Sequence, residues 1–101
     1  MPRELTRDQT YQAFDLETDL RLQIIDYLEQ VPASDIKTED EIQRCLIQDR
    51  MWQMLRIEKE DYNLAIARHR LEEDEYVLRR TEEVEKRISE ELRASLIEPL
   101  F

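Results

Sequence analysis

Residues 38–98 read TEDEIQRCLIQDRMWQMLRIEKEDYNLAIARHRLEEDEYVLRRTEEVEKRISEELRASLIE and contain neither glycine nor proline. Glycine reaches positive φ without penalty, and proline cannot donate a backbone hydrogen bond, so these two residues punctuate helices. A run of about 60 residues lacking both predicts one continuous helix. The whole chain of 101 residues has no glycine, and its prolines stand only at Pro2, Pro32 and Pro99. The expected fold class is therefore all-α.

At the head of this run, Thr38-Glu39-Asp40-Glu41 has the form of a capping box and is expected to open the long helix. Before it lies a connector at residues 31–37, where Val31 precedes Pro32 and is pushed out of helical geometry. A first helix is expected over about residues 7–30, opened by a second capping box, Thr6-Arg7-Asp8-Gln9. Leu16, Leu20, Ile24, Tyr27 and Val31 form one apolar line on it. Tyr11, Phe14, Leu22 and Ile25 form a neighbouring one. That surface exceeds the single stripe of an ordinary surface helix, so contacts on two sides are expected.

Ile57, Leu64, Leu71 and Leu78 recur at intervals of seven, and Val77, Val84, Ile88, Leu92 and Leu96 continue the C-terminal face. Such spacing suggests a coiled-coil-like seam. The positions between, Glu60, Ala67, Asp74 and Thr81, are small or polar, which favours a short bundle seam over a zipper. A helix of about 60 residues is roughly 90 Å long, and a 24-residue helix covers only about 36 Å of it. The mismatch predicts a homodimer of helical hairpins in one helical domain, with a four-helix core around residues 11–31 and 42–66. The one place for a bend is the acidic run Glu72-Glu73-Asp74-Glu75, but flanking arginines (Arg79 with Glu75, for instance) favour continuity.

Net charge is −10, with 11 acids against 4 bases over residues 1–43 and 14 against 11 over residues 44–101. This balance disfavours nucleic acid and anionic membrane and suits a basic protein partner. No apolar run approaches the ~20 residues of a membrane span, and the N-terminus lacks a secretory signal. Cys45 is alone, which suits a reducing compartment. A soluble, cytoplasmic protein is expected.

No catalytic, cofactor-binding or metal-binding residues are assigned. His69, the only histidine, lacks the preceding glutamate of a ferritin-like motif, because position 66 is Ile66, and it reads as a solvated helix residue. Cys45 reads as a small buried residue. Arg50, Arg68, Arg79, Lys86 and Arg93 share one face if the helix is straight, but acids are interleaved among them. Interface residues, toward a second copy or another protein, are expected at Met51, Trp52, Leu55, Leu64, Leu71, Leu78, Leu100 and Phe101. Trp52 is read first as core or dimer interface, and the apolar tail 96–101 first as docking within the protein. The function expected is a non-enzymatic, helical, oligomeric adaptor, assembly factor or chaperone-like protein that binds another protein. The alternatives are a carboxylate-rich, ferritin-like bundle acting as oxidase or store, and a nucleic-acid-associated protein using the basic face.

Overall fold

The first capping box forms as its sequence dictates: Gln9 N donates to Thr6 Oγ1 at 3.1 Å, and Thr6 N donates to Gln9 Oε1 at 2.9 Å. It opens α1 (Arg7–Leu28) in a computed structural model that describes residues 3–95. The remaining helices are α2 (Ile36–Leu55), α3 (Lys59–Arg68), α4 (Glu75–Arg87) and α5 (Glu90–Ser95). A single 3-10 turn, Leu71–Glu73, lies between α3 and α4. The fold is all-α, with no strand among the described residues. The tail residues Leu96, Ile97, Leu100 and Phe101 lie outside them.

The continuous helix over residues 38–98 does not exist. It is broken at 56–58, at 69–74 and at 88–89. The molecule is 40 Å in its longest dimension, against the roughly 90 Å of an unbroken helix. Two of the breaks share a device. Arg56 (φ 55°) and Arg70 (φ 53°) adopt the left-handed conformation, and each is followed by a buried aliphatic residue, Ile57 and Leu71. In a chain without glycine that conformation costs about 1–2 kcal/mol per residue. Burying Ile57 and Leu71 offsets this at about 1.5–3 kcal/mol each. The third break uses Ile88 in extended geometry, followed by Ser89, whose hydroxyl accepts from Leu92 N at 3.1 Å and so caps α5.

The second expected capping box is also displaced. The helix begins two residues early, at Ile36, and the side chain of its N-cap Asp35 makes no cap hydrogen bond. The turn Pro32–Asp35, closed by Asp35 N to Pro32 O at 2.8 Å, launches the helix directly, and Ile36 is buried as its first residue. Thr38 is then interior to the first turn.

α1 packs against α2, α3 and α4, so most of its two apolar lines is covered by the chain's own helices, while Tyr27 stays half exposed. Ala13, Phe14, Ile24, Ile25 and Leu28 are its core residues. α4 runs parallel to α1 in a fixed register: Tyr76 bonds Asp15 at 2.6 Å, Arg80 bonds Asp19 at 2.6 Å, and Arg87 bonds Asp26 at 2.5 Å, each 61 positions apart. Ser89 donates to Glu29 from both its N and its hydroxyl. α5 then packs on α2. The mismatch of helix lengths that argues for a second chain is thus absent, because the long segment folds back on α1.

Candidate functional site

α2 and α4 flank α1, and between them lies a groove of about 570 Å³. Helical spacing builds its walls. α1 supplies Phe14, Glu17 and Arg21 to the floor, at steps of three and four. α2 contributes Ile47 and Met51 to one wall, with Arg44 and Gln48 beside them. α4 contributes Val77, Leu78 and Thr81 to the other. Tyr62 and Ile66 of α3, with Leu71, close one end. The break at Arg70 matters here, since it turns the chain so that α4 stands opposite α2.

The groove's lining is mixed: Lys59, Asn63 and Glu72 join Glu17, Arg21, Arg44, Gln48 and Thr81 as its polar and charged residues. Glu17 and Arg21 form an ion pair at 3.2 Å with both side chains largely buried. Asp40, buried behind Arg44, accepts from Arg44 Nε at 3.0 Å, and its Oδ1 has no hydrogen-bond partner. Tyr62 is 3% exposed, and its hydroxyl has no partner either. Burial first, then the negative charge of Glu17, pushes its phenol far above the usual range, while Arg21 acts the other way. The arrangement can take apolar side chains, and beneath its surface the Tyr62 hydroxyl is buried without a partner. Among the described residues it brings together no three His, Cys, Asp or Glu side chains able to hold a metal ion.

A second polar cluster fastens the start of the chain to the α3–α4 junction. His69 is the C-cap of α3 rather than a solvated mid-helix residue, and its Nε2 donates to the Leu5 carbonyl at 2.9 Å. Arg7 donates to the His69 carbonyl at 3.1 Å and to Asp74 Oδ2 at 3.3 Å. The Tyr11 hydroxyl donates to the same Asp74 oxygen. Asp74 caps α4 by accepting from Val77 N at 3.2 Å. The Tyr11 hydrogen bond, then the backbone N–H of Val77, hold the Asp74 carboxyl below its usual range, with Arg7 adding its charge. This cluster is structural: it fixes the angle at which α4 leaves the break.

The structure divides the expected interface residues. Met51 and Leu71 are buried and line the groove, and Leu78 lines it while half exposed. Leu55 is partly buried against the core. Leu64 is half exposed on α3, away from the groove and beside the N-terminal segment. Trp52 is not core: it is 46% exposed, with the Arg56 guanidinium 5.5 Å from its ring centroid. Leu100 and Phe101 lie outside the described residues. Cys45 is exposed rather than buried, because it sits on the side of α2 opposite Ile47.

The basic face disappears with the straight helix. Arg50, Arg68, Arg79, Lys86 and Arg93 now sit on four different helices. Arg68 pairs with Glu4, Arg79 with Glu75 at the expected i,i+4 spacing, and Arg93 with Glu85. Residue spacing misses Tyr62, Arg44 and the Glu17–Arg21 pair as groove residues. The only signal for them is i,i+3/i+4 recurrence on separate helices, which does not say that those faces meet. Among the described residues no helix is long and apolar enough to cross a membrane. Comparison with protein-family models, with curated proteins and with solved structures finds no match to this chain.

Proposed function

We propose that this chain is a non-enzymatic, cytoplasmic protein-binding module, an adaptor or assembly factor, whose docking site is the groove between α2 and α4. The observation that carries the reading is the groove itself: a cleft between two helices that both pack on α1, floored by the buried Phe14, Met51 and Val77, with Ile66 and Leu78 as the apolar lining that stays partly exposed. Such clefts suit an amphipathic helical segment of a partner, which lays apolar residues at i, i+3, i+4 and i+7 into the gap. The net charge of −10 supports a partner segment whose flanks are basic. Half-exposed Leu78 on its wall supplies apolar surface for contact. Homodimerisation belongs to the same reading, as the way such a module is presented.

Site-specific photo-crosslinking in the native host tests the docking site. A photoreactive residue at Gln48 or Leu78, in the groove, is expected to give a discrete protein adduct. The same residue at Glu83, on the ladder side of α4, is expected to give none. Identical patterns from both positions, or no adduct from the groove, would overturn the assignment.

A further inference from the structure

The seven-residue series behaves in a way that the folded chain alone does not use. Ile57, Leu64, Leu71 and Leu78 are 3%, 50%, 1% and 49% exposed. In an unbroken helix the four would lie along one stripe. In the folded chain the two breaks send Ile57 and Leu71 into the core and leave Leu64 and Leu78 outside. The second break is held by Arg70 at φ 53° and includes no glycine or proline, so every residue from 69 to 74 is able to be helical. A short hinge whose closed form carries backbone strain, and whose open form is ordinary helix, favours exchange of the segment beyond it between copies.

We propose that the 69–74 segment opens in this way, joining α3 and α4 into one helix over residues 59–87. The α4–α5 arm of one copy then docks on α1 and α2 of a second copy. The partner is a second copy of this chain, and the inference rests on the homodimer reading above, to which it gives a mechanism. The arm is suited to exchange because its attachments lie on α1 and α2, which a second copy presents in the same arrangement. Val77 and Val84 are the buried residues of α4, and Asp15, Asp19, Asp26 and Glu29 receive Tyr76, Arg80, Arg87 and Ser89 in order. A second copy presents the same receptor in the same register, so these contacts are conserved on exchange. The open form loses the Asp74 cap and the bonds from Arg7 and Tyr11 that span the hinge, and it moves Leu71 out of the closed core. In return it releases the left-handed arginine in both chains and aligns Leu64, Leu71 and Leu78 of two copies as the new interface.

Subunit complementation tests the exchange. Asp19→Arg and Arg80→Asp each place like charges opposite one another within a single chain. In a swapped heterodimer the two altered positions face each other with opposite charges, while the unaltered Asp19 and Arg80 meet at the other site. Refolding the two full-length variants together from denaturant is expected to give a heterodimer, seen by light scattering and by co-purification of two different tags, that neither gives alone. Arg70→Gly in the otherwise natural chain is expected to weaken the dimer by at least about tenfold, because glycine relieves the closed hinge and disfavours the open helix. A dimer that shows neither complementation nor a response to Arg70→Gly overturns the swap and leaves the homodimer reading standing. A natural chain that stays monomeric after refolding at high concentration overturns both.

Discussion

Arg80 of α4 meets Asp19 of α1 at 2.6 Å across 61 positions of sequence, and the same offset joins Tyr76 to Asp15 and Arg87 to Asp26. A constant offset along both helices means that they advance in step, so the acids of α1 act as the register marks for α4. Asp19 is well exposed and Arg80 mostly covered, which makes each rung weak on its own. Asp19→Ala is expected to cost about 0.5–1 kcal/mol, and the cost should shrink in 1 M salt, where screening acts within ~3 Å. Denaturant unfolding at low and high salt checks this. A salt-independent loss would mean that Asp19 acts through packing instead.

Asp74 sets a limit on acid stability. Its folded carboxyl is held below the ordinary value of 3.8 by Tyr11, by Val77 N–H and by Arg7. A group depressed on folding contributes stability above its unfolded pKa, and that contribution is lost as pH falls through the folded value. The chain is therefore expected to weaken as pH drops below about 4, with α4 loosening first because Asp74 is its cap. Asp74→Asn should lower stability at neutral pH and flatten the acid limb. Unfolding midpoints measured from neutral pH down through the acid limb decide it; parallel curves for the two proteins would remove Asp74 from the account.

Fold class and the start of α1 were legible because they depend on local chemistry: no glycine, and a hydroxyl three residues before Gln9. Signals for two of the later helix starts were also present. Asp74 stands before Glu75-Tyr76-Val77, and Ser89 stands before Glu90-Glu91-Leu92, each a cap type ahead of acids and an apolar residue. Sequence reading misses both, because with no glycine or proline nearby continuity is the simpler expectation. What could not be read was the left-handed arginine. Nothing local marks Arg56 or Arg70, since the reason for each bend is the burial of the next residue, and burial is a property of the whole fold. The groove was hidden for the same cause: it exists only once the break at Arg70 has set α4 opposite α2.

The bend at Arg56 has no role in the proposed exchange, so its backbone can be tested separately. Arg56→Ala keeps a Cβ in left-handed geometry and loses the contact with Trp52, and is expected to destabilise by about 0.5–1 kcal/mol. Arg56→Gly loses the same contact but relieves the backbone, and should be more stable than the alanine variant by about 1 kcal/mol. Alanine equal to or better than glycine, in paired denaturant curves, would mean that residue 56 is not left-handed in solution.

Tyr62 offers the sharpest view of the groove, because its hydroxyl is buried without a partner while its ring lines the cleft. An unpaired buried hydroxyl costs about 1–3 kcal/mol, so Tyr62→Phe is expected to be neutral or stabilising by up to about 1 kcal/mol. Burial also raises its phenol, which reverses the sign found for Asp74. An acid raised on folding contributes stability below its unfolded pKa of 10.0, and loses it as pH rises beyond. The natural chain should therefore unfold more readily above about pH 10, with Tyr62 ionising only as the structure opens, and Tyr62→Phe should remove part of that alkaline loss. Following phenolate absorbance and helicity together against pH separates the outcomes. If all four tyrosines ionise while the helices remain intact, Tyr62 is open to solvent and the groove is wider than its lining describes.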